Sequence, residues 1–88
     1  MALELQQLRQ VIALAEHGSF ARAALALHLS QPALSRSIQT VESQIGTALF
    51  SRTSAGVVPT DLGRLFVQRA REVAQLAAAP DREVLGAP

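Results

Sequence analysis

The sequence predicts a mainly α-helical domain built from four helices, with one small β-hairpin between the third and the fourth. Apolar residues recur at spacings of three and four in four separate segments, which is the pattern of amphipathic helices. Serine, glycine and proline, which cap or end helices, separate these segments. Half of the residues (49%) are apolar but only three are aromatic, which favours Ala- and Leu-rich helices over a sheet. The length of 88 residues fits one small domain with a modest core.

The first helix is predicted in the stretch LELQQLRQVIALAEHG. Its apolar residues at helical spacing are Leu5, Leu8, Ile12 and Ala15, with Val11 beside them. Gly18 suits the left-handed backbone position that follows a helix end, so we expect the first helix to stop there.

A short second helix is predicted in FARAALAL, with Ser19 as its N-cap. We expect Ala23, Ala24 and Leu27 to face inward, because small side chains let another helix come close. His28 is expected in the turn that follows, near the surface.

The third helix is predicted from about Gln31 to Ile45, with Ser30 as its N-cap and Gly46 at its end. Pro32 lies in the first turn, where no helical hydrogen bond needs its missing N–H. The apolar stripe of this helix consists of Leu34, Ile38, Val41 and Ile45.

The opposite face of the third helix is polar. It carries Pro32, Arg36, Gln39 and Ser43, with Ser35 on its flank. At about 100° per residue, Glu42 falls close to the apolar stripe instead. The outer face therefore has one positive charge and no carboxylate.

A change of pattern follows in the stretch ALFSRTSAGVVP. The pairs LF and VV are short β-prone pieces on either side of the turn SRTSAG. We expect a small hairpin with Arg52 and Ser54 at its tip.

The fourth helix is predicted from its cap at Thr60 to about Ala79, with Asp61 near its positive end and Pro80 as its stop. Its apolar residues cover about 200° of the helix circumference, twice the width that one surface helix needs. We expect part of this arc to contact a second copy of the chain. The residues predicted at that contact are Leu65, Phe66, Arg69, Val73 and Leu76.

Arg69 lies inside the apolar arc and has two interpretations. Its aliphatic stem can cover apolar surface while its charge stays near Glu72, which is the interpretation we favour. Alternatively, it forms an ion pair across the dimer.

Several function classes have no support in the sequence. The lack of cysteine excludes a disulfide framework and a thiolate metal site, and it fits a cytoplasmic protein. No apolar run approaches the roughly 18 residues of a membrane span, and the N-terminus becomes polar too early for a signal peptide. No activated Ser/His/acid set and no Gly-rich phosphate loop occur, so we expect neither an enzyme nor a cofactor or metal site.

The positive charge is concentrated in the middle of the chain. Residues 19–71 carry six arginines and two acids, a net charge of +4, whereas the whole chain has +1. Every basic residue is arginine, which forks onto bases and phosphates better than lysine does. Arginine bias from a GC-rich genome explains the same composition equally well.

A short helix, a turn and a longer helix with a polar outer face form the helix-turn-helix pattern, whose second helix enters the DNA major groove. Glutamine amides pair with adenine edges, arginine forks onto guanine or phosphate, and small apolar groups contact a thymine methyl. Free N–H groups at helix starts bind phosphates. The predicted DNA-contacting residues are Ser19, Ser30, Gln31, Pro32, Ala33, Ser35, Arg36, Gln39, Arg52 and Thr60. Arg36 could instead be an ordinary solvated arginine, and Pro32 is equally well explained as a residue that starts the helix.

The order of these features resembles the DNA-binding domain of LysR-type transcriptional regulators. The motifs that carry the resemblance are GSFARAA, LSQPALSRSIQTVESQIG, LFSR and PTDLG. It implies a winged helix-turn-helix over residues 1–59, a linker and dimerisation helix over 60–79, and a tail over 80–88 that is frayed or begins the linker to a further domain. It also implies a dimer on an interrupted inverted repeat of double-stranded DNA, with a small-molecule effector bound only by a C-terminal domain absent from this chain.

One alternative of another class stays open. A winged helix can also serve as a protein-interaction module that uses its last helix to dimerise. DNA binding should weaken steeply with salt because counterions return to the phosphates, whereas a mostly apolar protein contact should not.

Overall fold

The computed structural model of the chain describes residues 3–78 and confirms four helices and one hairpin in the predicted order. The elements are α1 (Leu5–His17), α2 (Phe20–Leu27), α3 (Gln31–Ile45), β1 (Phe50–Thr53), β2 (Gly56–Pro59) and α4 (Asp61–Ala78). The predicted stop at Pro80 and the predicted tail lie outside the described residues. No helix of residues 3–78 combines the length and the hydropathy that a membrane crossing requires.

Serine side chains begin α2 and α3 as predicted. The hydroxyl oxygen of Ser19 accepts the N–H of Arg22 at 3.2 Å, and that of Ser30 accepts the N–H of Ala33 at 3.1 Å. Each bond satisfies one of the backbone donors that a helix start leaves free. The two caps therefore fix where each helix of the helix-turn-helix begins.

Left-handed residues end the first three helices. Gly18 and Gly46 adopt φ values of 66° and 92°, as their positions predict. His28 adopts φ 59° after α2, where the backbone N–H of Leu29 donates to the carbonyl of Ala24 at 2.9 Å. The turn between α2 and α3 is therefore closed by backbone geometry rather than by a glycine.

The core lies where α1, α2 and α3 meet, and it is closed by α4 and by the hairpin of β1 and β2, which we call the wing. Its members are Val11, Ala13, Leu14, Phe20, Ala23, Ala24, Leu34, Ile38, Val41, Leu49, Val57 and Val67. Three of the four predicted stripe residues of α3 are buried, and the fourth, Ile45, packs against the core from its edge. The predicted inward face of α3 is therefore confirmed.

The hairpin is longer and its turn is shorter than the sequence predicts. Arg52 pairs with Val57 and Thr53 pairs with Gly56, which leaves only residues 54 and 55 in the turn. The Thr53 hydroxyl stabilises this turn, since it donates to the Gly56 carbonyl and accepts the N–H of Ala55, both at 3.1 Å. Ser54 lies at the tip as predicted, whereas the prediction for Arg52 was wrong: it lies inside β1.

The hairpin is fixed against the turn between α1 and α2. The N–H of Val57 donates to the carbonyl of Gly18 at 3.0 Å. A side chain at Gly56 would begin 2.7 Å from that same carbonyl oxygen, and Gly56 has φ 122°. Only glycine allows the second strand to come this close to the helices.

The start of α4 packs closely against Leu49, the residue that precedes the wing. The Thr60 hydroxyl caps α4 by accepting the N–H of Gly63 at 3.0 Å. A Cβ atom at Gly63 would lie 1.9 Å from the carbonyl oxygen of Leu49, so the helix can pass here only because residue 63 has no side chain. Val67 and Ala70 continue the buried face of α4.

Candidate nucleic-acid interface

The outer face of α3 is exposed and polar. Gln31, Pro32, Arg36 and Gln39 are exposed, and Ser35 is half-buried on the flank. Ala33 is also half-buried. The predicted side chains of the first two and a half turns of α3 therefore lie on the protein surface, where a duplex can reach them.

A buried polar contact sets the rotation of α3 about its axis. The Ser37 hydroxyl donates a short hydrogen bond to the side-chain oxygen of Gln10, which is only 6% exposed. Because a buried amide needs its partner, this bond holds α3 in one orientation against α1. Neither residue was predicted from the sequence. The available signal was a glutamine at helical spacing from Leu14, on the apolar side of α1.

Glu42 joins α3 to the wing. Its carboxylate oxygen accepts the N–H of Leu49 at 2.7 Å and the N–H of Phe50 at 3.2 Å. The sequence places Glu42 near the apolar stripe, and the structure confirms that it points away from the outer face. Charge-assisted bonds to two backbone donors make this carboxylate a structural anchor.

A groove of about 150 Å³ separates α3 from the wing. Three predicted DNA-contacting residues, Ser35, Gln39 and Arg52, line this groove together. The guanidinium carbon of Arg52 lies 4.7 Å from the centre of the Phe20 ring. Arg52 therefore lies beside α3 and does not project from the tip of the hairpin.

The capping residues differ in what they leave available. Ser19 and Ser30 use their oxygens as acceptors, so their hydroxyl protons remain free to donate to a phosphate. The Thr60 hydroxyl accepts from Gly63 and also donates to the carbonyl of Ala48 at 2.9 Å. The structure therefore places Thr60 at the base of the wing with its hydroxyl proton already used.

The arginines of residues 3–78 divide into paired and unpaired groups. The three that form ion pairs lie on α4: Arg64 with Asp61, Arg69 with Glu72, and Arg71 with Glu16. Within the described range no carboxylate neutralises an arginine of α2, α3 or β1. The arginines of the helix-turn-helix and the wing are therefore available to bind a phosphate, and Arg9 of α1 is the one other arginine of residues 3–78 without an ion pair.

Arg22 belongs to this unpaired group and was missed by the sequence analysis. It is exposed in the first turn of α2, and it lines a surface groove with Ser19 and β2. The signal was its position three residues after the Ser19 cap, at the positive end of a helix.

The predicted apolar arc of α4 is split between two surroundings. One side, with Gly63, Val67 and Ala70, is buried in the domain. The other side is an exposed stripe that we call the α4 stripe; its members are Leu62, Leu65, Arg69, Val73 and Leu76. Phe66, predicted at the dimer contact, packs partly against the core of its own chain.

Arg69 lies along the α4 stripe and pairs with Glu72 at 3.5 Å on the same helix. This contact agrees with the favoured interpretation, in which the stem of Arg69 covers apolar surface and its charge stays near Glu72. It involves exposed side chains and contributes little to stability by itself.

Comparisons with known proteins agree on one family. The model of the bacterial regulatory helix-turn-helix proteins of the lysR family matches residues 5–64. The SDS degradation transcriptional activation protein of a Pseudomonas species is 54% identical over 70 residues, which cover 80% of this chain and 23% of that protein. The regulator TfdT of Cupriavidus pinatubonensis is 42% identical over 80 residues, covering 91% of this chain and 35% of that protein. The chain thus spans about a quarter to a third of the length of these relatives.

Solved structures give the same result. The DNA-binding domain of CbnR, crystallised with DNA, is 38% identical and superposes with a TM-score of 0.86 over 98% of this chain and 100% of that one. Vibrio fischeri DarR in complex with DNA is 30% identical, with a TM-score of 0.88 over 98% of this chain and 30% of that one. These matches, together with the fold and the family model, show that the chain belongs to the lysR family of bacterial regulatory helix-turn-helix proteins and is a winged helix-turn-helix DNA-binding domain.

Proposed function

We propose that the chain binds double-stranded DNA sequence-specifically, with α3 in the major groove and the wing on the adjacent backbone or minor groove. The observation that carries this proposal is the distribution of unpaired charge. Arg36 on the outer face of α3 and Arg52 beside it have no carboxylate partner among the described residues, whereas the arginines of α4 do. A surface built in this way attracts phosphates and does not repel them.

Each side chain of the outer face has a role that its chemistry suggests. Gln31 and Gln39 carry amides that can pair with adenine edges, and Arg36 can fork onto guanine. Pro32 and Ala33 offer apolar surface to a thymine methyl. Ser35, on the groove flank, can donate to a base or to the backbone.

The remaining contacts are proposed to go to phosphates. Ser19 and Ser30 present a hydroxyl and free backbone N–H groups at the starts of α2 and α3. Arg22, beside Ser19, adds a positive charge. The DNA complexes of CbnR and DarR, which share the fold, support DNA binding by this chain, and the roles of its individual residues are part of our proposal.

We further propose that two copies associate through the α4 stripe. Leu65, Val73 and Leu76 are 47%, 47% and 72% exposed, which leaves an apolar surface uncovered in a single chain. A two-fold pair would present two α3 helices to successive major grooves about 34–36 Å apart, or to a multiple of that spacing. The target would then be an inverted repeat with an interruption.

The wider role is proposed from the relatives. Because the chain matches about a quarter of their length, binding of a small-molecule effector would belong to a further C-terminal domain of such a regulator. A regulatory rather than enzymatic role and a cytoplasmic location are part of the same proposal, since the relatives are transcriptional regulators.

Selection of bound duplexes from a random pool tests the function directly. We expect an enriched inverted repeat, and binding to it should fall steeply as salt rises. Loss of binding in Arg36→Ala with retention in Arg9→Ala would place the contact on α3, because both changes remove one arginine but Arg9 lies on α1. A pool without enrichment, together with salt-independent binding to a protein partner, would favour the interaction-module alternative.

A further inference from the structure

The contact between Arg52 and Phe20 is a feature of the wing that the predicted function does not explain. Its guanidinium lies over the ring of Phe20 at 4.7 Å, within the range of a cation–π contact. Phe20 is the first residue of α2 and is 9% exposed. It is therefore a core residue that also provides a platform for a surface arginine.

Neighbouring residues hold β1 in place, but none of the described carboxylates forms an ion pair with Arg52. Glu42 accepts the N–H of Phe50, and Phe50 and Arg52 lie on the same side of β1 because strand residues alternate. Both line the groove beside Ser35 and Gln39. Glu42 also lines this groove, yet it forms no ion pair with Arg52.

Stacking suits the chemistry of a guanidinium. Arginine uses its flat face to stack on an aromatic ring, while its N–H donors point outward in the plane. A phosphate or a base edge can therefore bind the rim of a guanidinium that is already stacked. Holding the long side chain in place before DNA arrives also reduces the conformational entropy lost on binding.

We propose that Phe20 is a positioning residue for DNA binding, which holds the Arg52 guanidinium at the groove between α3 and the wing. The inference rests on the proposed DNA-binding function. Phe20 itself does not touch the duplex. It acts through Arg52, so its effect on affinity must disappear when Arg52 is removed.

A double-mutant cycle on a random-sequence duplex tests this dependence. Phe20→Leu keeps an apolar side chain and removes the ring, and we expect it to weaken binding roughly two- to fivefold, the range of one exposed cation–π contact. In the Arg52→Ala background the same change should have no effect on affinity. The matched control is Val11→Ala, which disturbs a fully buried core position on α1 without touching Arg52. It should leave the affinity of the folded protein unchanged.

Arg52→Lys is the second variant, and it leaves the core intact. It keeps the charge and loses the flat stacking surface, so it should bind more weakly than the original chain by about the factor seen for Phe20→Leu. Nuclear magnetic resonance gives a readout without DNA: the ring current of Phe20 should shift the Arg52 side-chain protons upfield, and Phe20→Leu should remove that shift.

The outcomes separate this inference from the proposed function. Additive effects of Phe20→Leu and Arg52→Ala, equal affinity of Arg52→Lys and the original chain, or absence of the ring-current shift would each overturn the positioning role. If the original chain does not bind the duplex even at low salt, the DNA-binding proposal itself is wrong.

Discussion

At the scale of single residues, polar side chains serve either the fold or a partner. Gln10 and Glu42 are used inside the domain, since a buried amide and a half-buried carboxylate both bind partners of the same chain. Arg36 and Gln39 are exposed. Buried polar groups must be hydrogen-bonded, whereas exposed ones can wait for a ligand. This division allows α3 to contribute to the core on one side and to carry the proposed DNA contacts on the other.

Arg36→Ala tests the reading role. If Arg36 forks onto a base, the change should cost about 1–3 kcal/mol of binding free energy and relax the preference at one base pair per half-site. Titration of the selected duplex and of single-base variants measures both effects. Equal weakening on selected and random duplexes would instead make Arg36 a phosphate contact.

Gly63→Ala tests the close approach at the start of α4. The new Cβ would lie 1.9 Å from the Leu49 carbonyl oxygen, so the helix must move away from the residue that precedes the wing. We expect a loss of about 3 kcal/mol or more in the free energy of unfolding, at the upper end of overpacking effects. Urea denaturation measures this loss.

Gly46→Ala is the matched control for Gly63→Ala. A Cβ at Gly46 meets no atom within 4 Å, so this change carries only the strain of φ 92°. We expect it to cost about 1–2 kcal/mol. A Gly63→Ala variant no less stable than Gly46→Ala would contradict the close packing against Leu49.

At the scale of the elements, α3 and the wing form one unit rather than two independent contacts. Glu42 near the end of α3 binds the N–H groups of Leu49, which precedes β1, and of Phe50, the first residue of β1. On the other side, β2 bonds to the Gly18 carbonyl between α1 and α2. The two-stranded hairpin, which would be marginal alone, is therefore held at both strands.

Glu42→Ala should loosen this connection. It leaves two backbone donors without their acceptor, and we expect the free energy of unfolding to fall by about 1–3 kcal/mol. Hydrogen exchange of the Leu49 and Phe50 amides should become faster. Glu72→Ala, which removes an exposed carboxylate on α4, should cost no more than about 1 kcal/mol. Unchanged protection of the Leu49 and Phe50 amides would show that the wing holds its position without Glu42.

At the scale of the whole molecule, one face carries free charge and another carries uncovered apolar surface. The ion-paired arginines lie on α4, together with the α4 stripe, while the unpaired arginines of α2, α3 and β1 lie on the helix-turn-helix and wing. The surfaces that we propose for DNA binding and for self-association are therefore different. If two copies associate, binding of one copy to its half-site raises the effective concentration of the other copy at the second half-site. The affinity for a duplex with two half-sites is then higher than for one half-site.

Val73→Asp tests the proposed dimer contact along the α4 stripe. An unpaired carboxylate buried between two copies costs several kcal/mol, so the variant should be monomeric by sedimentation at micromolar concentration. It should weaken binding to a duplex with two half-sites far more than to one half-site, while far-UV helicity persists.

Gln68→Asp is the control for the dimer test. It adds the same charge to an exposed position of α4 outside the α4 stripe, and it should remain dimeric. If Val73→Asp also remains dimeric, or if the folded variant loses affinity equally for the one-site and the two-site duplex, the dimer contact does not lie along the α4 stripe.

Much of this architecture is determined by the sequence alone, because the signals are local. Helix starts follow from Ser19, Ser30 and Thr60, whose hydroxyls cap the next turn, and helix ends follow from Gly18 and Gly46. The period of apolar residues fixes which side of α3 is buried. From these signals the helices, the hairpin and the outer face of α3 could be predicted, and they are confirmed.

Other features were decided only by the tertiary structure, because they depend on which elements meet. The sequence placed Arg52 at a hairpin tip, yet strand pairing extends past it and Phe20 lies beneath it. The hydrogen bond from the Ser37 hydroxyl to the Gln10 side chain joins residues that are 27 positions apart, and no periodicity in the sequence reveals such a pair. The tertiary structure also decides which part of the apolar arc of α4 is buried. Phe66 packs partly against the core of its own chain, whereas Leu76 stays exposed, because α1 and the wing cover only one side of α4.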